Sequence, residues 1–474
     1  MRTRPAPPPA AGSPSPLASG LLVIFGVTGD LSRRYLLPAL VSLAAQDLLP
    51  EHFEIIGASR RHVDVAELLA GVTADAHERG QALLPEGLAR IQSALRIVTM
   101  DPTVAADYAN LKTTLDRIED ERGVCLNRLF YLSVPPHTYG PIVDLLAGSG
   151  LNVGCQHGSA DSRIMVEKPF GYDLESAQDL IKRLHANFAE TQIYRIDHYL
   201  AKETAQNILT FRFANPIFQA VWNADFITGL TITASETIGI EDRAVFYEST
   251  GALRDFVQNH LLQLLALTTM EEPSQLDSAQ VHAEKLKLLQ SIVPVASNQV
   301  GASAVRGQYQ GYRDEVGNPD SNTETFARLR LRINNPRWKN VPVMLQTGKR
   351  LDQRFTEISI TFAGRRGHAP NTLCFRIQPG EGIAIDLRAK KPGLDNVTEE
   401  VEMAFNYKDY FGAGAGPTAY ERVLTDGIRG DQTLFTSSEE VLTSWRIVDA
   451  VVKAWGKSGD GLKVYAPGTP AASL

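Results

Sequence analysis

Asp197, His198, Tyr199 and Lys202 fall within six residues of one another, in the run Arg195-Ile-Asp-His-Tyr-Leu-Ala-Lys202. An acid, an imidazole, a phenol and an amine are thereby packed into one short segment. His198 and Lys202 are four apart, so on a helix they would share a face and point at one object. A cation pair with a hydroxyl beside it suits a phosphate, while Asp197, on the turn before, is placed to serve a different group. A second cluster lies in Gly251-Ala-Leu-Arg-Asp-Phe-Val-Gln-Asn-His260, where Arg254, Asp255, Gln258, Asn259 and His260 crowd the start of a very apolar stretch. Buried polar groups are costly unless paired. A lone histidine in such a helix is most often a satisfied core residue, but the density of polar neighbours points to a site. Two further segments carry cations, Glu167-Lys168-Pro169 and the basic turn Gln346-Thr-Gly-Lys349-Arg-Leu-Asp-Gln-Arg354. The second suits sugar oxygens or phosphate, and alone it would read as an ordinary loop.

Two kinds of scaffold must position these groups. Leu21–Phe25, Phe53–Gly57, Leu95–Met100, Leu129–Ser133 and Ser162–Val166 are short apolar runs bounded by turn residues, and helical stretches such as Asp30–Leu43 alternate with them. That alternation predicts βαβ units and a doubly wound, Rossmann-like parallel sheet. Beyond residue 195 the pattern changes. Residues 227–233, 326–333, 357–362 and 373–378 alternate with period two, which predicts a large, mostly antiparallel sheet with one face covered by helices. Arg254–Met270 and Glu439–Trp455 read as two of those helices. The expected architecture is α/β plus α+β. Residues 1–19 form an unstructured Pro/Ala/Ser-rich tail, 20–195 a nucleotide-binding domain, and 196–474 a substrate-binding and oligomerisation domain.

Gly26-Val-Thr-Gly29-Asp-Leu lies between the first strand and the first helix. There the glycines allow a tight turn, and backbone N–H groups can approach a pyrophosphate at the helix N-terminus. The spacing is shorter than the usual dinucleotide fingerprint. The second strand ends in Gly57-Ala-Ser-Arg60-Arg61, where an NAD-preferring site usually places Asp or Glu. Arg60 can hold a 2′-phosphate in bidentate fashion. NADP is therefore favoured, with NAD as a second choice. Lys168 follows the fifth strand, at the end of the sheet where ligands sit. A nicotinamide site, a phosphate clamp and a histidine base with a carboxylate together fit oxidation of a phosphorylated alcohol by hydride transfer.

The net charge of −7, from 47 basic and 54 acidic residues, argues against a general nucleic-acid binder. No apolar run approaches the length of a bilayer span. Cys125, Cys155 and Cys374 are widely separated and odd in number, so reduced cytoplasmic thiols are the expectation, with neither a disulfide framework nor metal-ligand spacing.

Taken together, the chain from about residue 21 to about residue 460 resembles the glucose-6-phosphate dehydrogenase family. The resemblance rests on Gly26-Val-Thr-Gly-Asp-Leu31, Val166-Glu-Lys-Pro-Phe-Gly171, Arg195 to Glu203, and Arg254-Asp-x-x-Gln-Asn-His260. Arg306-Gly-Gln-Tyr309, Arg376-Ile-Gln-Pro-Gly-Glu-Gly382, Tyr420–Asp426 and Gly430–Phe435 add to it. It implies that His260 takes the proton from the C1 hydroxyl of glucose 6-phosphate. Asp197 would orient that histidine and raise its pKa. His198, Tyr199 and Lys202 would bind the 6-phosphate. Glu236, Asp255, Lys349 and Arg354, with Lys168, would hold the sugar side. Gly26, Thr28, Gly29, Asp30, Leu31, Arg60 and Lys168 would contact NADP, with Ser133 and Pro135 lining it. The family also implies a cytoplasmic homodimer or homotetramer, without a metal.

Three positions depart from the family pattern: Tyr35 replaces a commonly basic residue, Ala244-Val245 a glycine pair, and Ala201 a glycine. Two rival readings remain at this stage. One is a sugar oxidoreductase of similar fold without a phosphate clamp. The other is a catalytically silent NADP sensor, against which both Asp197 and His260 argue.

Overall fold

The computed structural model describes residues 20–155, 160–364, 368–412 and 416–474. The expected N-terminal tail lies outside the described residues. Leu21 to Phe25 are all fully buried, and with Gly20 they form β1 (Gly20–Phe25). Burial on both faces is what a parallel sheet between helices demands. The strands that follow are β2 (Phe53–Ser59), β3 (Leu95–Thr99), β4 (Asn127–Leu132), β5 (Ser162–Val166) and β6 (Ile193–Arg195). They are ordered β3-β2-β1-β4-β5-β6. β1 pairs in parallel with both β2 and β4, and β2 with β3. This is the doubly wound arrangement expected, with β6 added. Three residues are too few to show a period, which is why the sequence did not reveal that strand. The first helix starts at Asp30 as predicted, and it is wound as a π-helix over Ser32–Leu36 before continuing as an α-helix over Leu37–Ala45.

The second sheet has nine strands. β7 (Ile227–Ser235), β8 (Ala304–Tyr309), β9 (Phe326–Arg332), β10 (Pro342–Gly348), β11 (Phe355–Phe362), β12 (Thr372–Gln378), β13 (Gly382–Lys390), β14 (Thr398–Asn406) and β15 (Leu462–Tyr465) lie in the order β14-β13-β12-β11-β7-β10-β9-β8-β15. Only β7–β10 and β8–β15 pair in parallel; the remaining neighbours are antiparallel. In β11 and β12 every second side chain is buried, the signature of a sheet covered on one face. The helix Leu253–Leu261 packs on β7, β9 and β10.

The described residues divide into two compact units. The first runs to Met165 and takes in Leu424–Asp431; the second covers Val166–Val423 and Gln432–Leu474. The sequence reading sets a domain boundary at residue 195; the second compact unit begins earlier, at Val166, because the segment after β5 is tied into it. Trp445 Nε1 donates to the Phe170 carbonyl (3.0 Å), and buried Arg195 pairs with Glu190 (2.9 Å), which in turn accepts from the Ser438 N–H (2.8 Å).

The expected reduced thiols are corrected by the structure. Cys125 and Cys155 form a disulfide, their Cα atoms 5.6 Å apart; Cys374 is free. Cys125 precedes β4 and Cys155 precedes β5, so neighbouring strands bring together residues 30 apart in sequence. Spacing alone cannot show such a pairing. Closing a loop of this length removes about 3–4 kcal/mol of unfolded-state entropy on the chain-entropy model. Urea unfolding of Cys125→Ser should therefore show a midpoint well below that of the oxidised parent. Equal midpoints in oxidised, reduced and variant protein would mean that the two thiols are not bridged in solution.

Candidate active site

The helix carrying Asp255 and His260 begins at a constrained point. Gly251 has φ 67° and ψ 173°, and a Cβ there would come within 2.5 Å of the Glu324 carboxylate. Only glycine fits. Glu324 accepts from the Leu253 N–H (2.9 Å), and its carbonyl accepts from the Ala252 N–H (2.9 Å). A buried carboxylate thus caps the helix, and burial raises its pKa. Leu253–Leu261 is wound as a π-helix before continuing as an α-helix over Leu262–Thr269. Sequence predicted one continuous helix from Arg254 to Met270. The wider winding changes which side chains share a face, and such segments are frequent at functional sites.

His260 lies almost fully buried at the end of that segment. Its Nδ1 is 2.6 Å from Asp197 Oδ1, which also accepts from the Tyr199 N–H (2.9 Å). Its Nε2 is 2.8 Å from Lys168 Nζ. Lys168 also donates to the Asp255 carbonyl (2.7 Å) and to Asp255 Oδ1 (3.0 Å). An ammonium has donors only, so Nε2 must present its lone pair and Nδ1 must carry the proton. Sequence reasoning placed Asp197 with His260, and the structure brings them together. It also brings in Lys168 and Asp255 as one continuous chain of charge.

The electrostatics follow from burial. Burial alone would raise the Asp197 carboxyl, but the His260 ring, with smaller contributions from His198 and Lys168, brings it down to about 2. Burial likewise opposes ionisation of Asp255, and Lys168, Arg243 and Lys349 overcome it. His260 was expected to be raised by Asp197. Its pKa is lowered instead, because burial outweighs the carboxylate and Lys168 adds to burial. The result is a neutral, oriented imidazole beside an ionised carboxylate.

The phosphate candidates are arranged differently from the helical face expected. Residues 196–202 form turns, and the helix Glu203–Phe213 starts only after Lys202, its N-cap. Turns bring the three side chains together. Lys202 Nζ bonds Gln378 Oε1, while Gln378 Nε2 donates to Tyr199 Oη (3.1 Å) and to Thr356 Oγ1 (3.2 Å). His198 packs edge-on to the His260 ring (5.0 Å) and parallel to Tyr420 (6.5 Å). Burial, then His260, pushes its pKa down to about 3, so it is a neutral hydrogen-bonding group rather than one half of a cation pair. Gln378, Thr356 and Tyr420 had no role in the sequence reading. Gln378 and Tyr420 lay inside quoted motifs, whereas nothing in the sequence marked Thr356.

On the sugar side, buried Lys349 pairs with Glu236 (2.6 Å). Arg354 is exposed and close enough to lower the pKa of Lys202, which burial already depresses. In the first unit, Gly26 has φ 83°, and a Cβ there would sit 2.3 Å from the Ser133 carbonyl oxygen. Ser32 Oγ closes this turn with bonds to the Gly26 carbonyl and Ser133 Oγ (both 2.9 Å). The helix that follows has no side-chain cap. Thr28, Asp30, Arg60 and Pro135 are exposed around it, with Gly29 and Leu31 half-buried. Gly26–Leu31, Arg60, Ser133 and Pro135 follow the carboxyl ends of β1, β2 and β4, where a dinucleotide binds in such sheets. A separate hollow of about 710 Å³ between Arg330, Met344 and Thr361 contains none of the site candidates.

Comparison with known proteins adds independent findings. Residues 23–207 match the family model described as glucose-6-phosphate dehydrogenase, NAD binding domain, and residues 209–473 match the corresponding C-terminal domain model. Glucose-6-phosphate 1-dehydrogenase of Chlamydia muridarum is 41% identical over 468 residues, covering 92% of this chain and 90% of the relative. A solved glucose-6-phosphate dehydrogenase in complex with its substrate glucose-6-phosphate superposes with a TM-score of 0.87 at 32% identity, over 96% of both chains. A levoglucosan dehydrogenase bound to NADH and L-sorbose reaches a TM-score of 0.54 at 12% identity, over 93% of this chain and 97% of that one. That likeness concerns the fold alone.

The geometry makes a prediction that needs no substrate. The His260 ring, followed by NMR, should titrate below the ordinary value of about 6.5. Lys168→Gln should move the midpoint upward, because it removes a cation while keeping a donor for Asp255. An unmoved midpoint would show that Lys168 does not hold the ring neutral.

Proposed function

The chain belongs to the glucose-6-phosphate dehydrogenase family, and from that premise we propose that it oxidises glucose 6-phosphate at C1 to 6-phosphoglucono-1,5-lactone. This is the first oxidative step of the pentose phosphate pathway. The observation that carries the reading is the Asp197–His260–Lys168–Asp255 chain beside the Tyr199–Lys202–Gln378 network. The first supplies a base and the second a place for phosphate. The rival sugar oxidoreductase needs only the first.

The C1 hydroxyl displaces Lys168 from His260 Nε2 and donates to that lone pair. As the C1–H hydride leaves, the hydroxyl proton passes to Nε2 and the C1=O bond forms. Asp197 holds the Nδ1–H and stabilises the imidazolium, the logic of a Ser-His-Asp triad. Lys168 remains beside the same oxygen, where its charge opposes the build-up of negative charge. Lys202, Tyr199 and neutral His198 receive the 6-phosphate and so orient C1. Glu236, Lys349, Asp255 and Arg354 bind the sugar hydroxyls; Asp255 Oδ2 is buried and has no partner among the described residues.

A nicotinamide, when bound, accepts the hydride at C4. The turn at Gly26 fits such a dinucleotide, because a Cβ there would fill the cradle against Ser133. Gly26, Thr28, Gly29, Asp30, Leu31, Ser133 and Pro135 would hold it. Exposed Arg60 favours NADP, with NAD as the lesser alternative. We assign the enzyme to the cytoplasm, because a charged sugar phosphate does not cross membranes unaided. A homodimer or homotetramer would cover the exposed apolar side chains of Leu394, Met403 and Phe411.

Absorbance at 340 nm with glucose 6-phosphate, run in parallel with NADP and NAD, tests substrate and cofactor together. Equal efficiency with unphosphorylated glucose would favour the rival dehydrogenase. Arg60→Ala should lose efficiency with NADP and keep it with NAD. His260→Asn should lower kcat by roughly three or more orders of magnitude with KM little changed; near-normal turnover would remove the base assignment. Lys202→Ala should instead raise KM for the sugar phosphate roughly ten- to a hundred-fold, the effect of one charge-assisted hydrogen bond.

A further inference from the structure

Asp197 uses one carboxylate oxygen for His260 and the Tyr199 N–H. The other, Oδ2, is buried without a partner among the described residues. Two more buried oxygens share that condition, Gln263 Oε1 and Ser444 Oγ. Asp197, Gln263 and Ser444 are each at most 4% exposed, and all three line one small cavity together with His260. Lys168, Gln258 and Asn259 also line it, with Phe170, Ile196, Thr436 and Val441, whereas none of His198, Tyr199, Lys202, Glu236 or Lys349 reaches it. The cavity leaves about 10 Å³ for the centre of a water molecule. That is close to the room one water needs, and buried waters typically make about three hydrogen bonds.

The three oxygens match one water in number and kind. The water donates to ionised Asp197 Oδ2 and to Gln263 Oε1, and it accepts from the Ser444 hydroxyl. An ionised carboxylate oxygen left unpaired in an apolar interior is strongly disfavoured, and this one must stay ionised while His260 gains a proton. The elements that meet here are rigid. Gln263 lies one turn beyond His260 on the same helix, and Ser444 lies on the helix Ser438–Trp455, which Trp445 anchors to the Phe170 carbonyl.

We propose that Gln263 and Ser444 are positioning residues for the reaction, acting through one ordered water that fixes the outer oxygen of Asp197 and so holds the His260 ring in its working orientation. This rests on the assignment of Asp197 and His260 as the catalytic pair. The shared water makes a specific demand on mutants. Ser444→Ala and Gln263→Met should each lower kcat about ten-fold, the effect of a hydrogen bond to a charged group, with KM for glucose 6-phosphate unchanged. The double variant should be little worse than either single one, because both disable the same water. The acid limb of kcat/KM should move upward, since a carboxylate that loses a donor becomes a stronger partner for the imidazolium.

A crystal structure that resolves ordered solvent should show a water within hydrogen-bond distance of all three oxygens. The proposal is overturned by a structure with no water on Asp197 Oδ2, by single variants with parental kcat, or by a double variant whose loss is the product of the two singles. If Gln263→Met does not fold, Ser444→Ala and the position of the water decide. Near-normal turnover in His260→Asn would remove the catalytic pair while leaving the water site to be judged by the crystal structure alone.

Discussion

An ionised carboxylate buried against a neutral imidazole is the constraint on which the rest of the second unit depends. Desolvating a charge costs several kcal/mol even after relaxation, and the attraction of a partner offsets it only with good geometry. Asp197 and Asp255 are both buried and both held ionised. Their partners, His260 and Lys168, touch each other at 2.8 Å. Moving any one of the four leaves another of them buried without its partner. Much of the surrounding architecture serves to keep that set in place, from the Glu324 cap on the helix to the turn that offers the Tyr199 N–H to Asp197.

The same constraint accounts for the departures from simple expectation. A carboxylate beside a histidine ordinarily raises its pKa, yet here burial and the Lys168 ammonium prevail. In the role proposed for it, a base that is neutral before substrate arrives would need no deprotonation step, and the cation that keeps it neutral would already lie beside the oxygen that loses its proton. His198 obeys the same rule. Packed beside His260, it is neutral, so in the role proposed for it, it would meet a phosphate as a hydrogen-bonding group while Lys202 provides charge.

Much of this was legible in the chain. The five apolar strands of the first sheet stood out because burial on both faces leaves unbroken hydrophobic runs. The polar crowding from Arg254 to His260 stood out because such groups are rare in an apolar helix. β6, β13, β14 and β15 did not: three or four residues show no period in β6 and β15, the edge strand β14 has no buried face, and β13 runs from buried to exposed along its length. The disulfide was also hidden, since Cys125 and Cys155 meet only because their strands are neighbours.

Residue types and order by themselves determined the family and the two classes of sheet, and they named the candidates for the acid, the base and the phosphate-binding amine, because those follow from side-chain chemistry and local pattern. Tertiary structure alone decided which groups pair. Four-residue spacing suggested a helical face for His198 and Lys202, but turns place them, and Gln378, 176 residues away, completes the network. Asp197 reaches His260 across 63 residues, and Lys168 reaches it across 92. The protonation states belong to the fold as well, because they arise from burial and from neighbours that the chain order does not reveal.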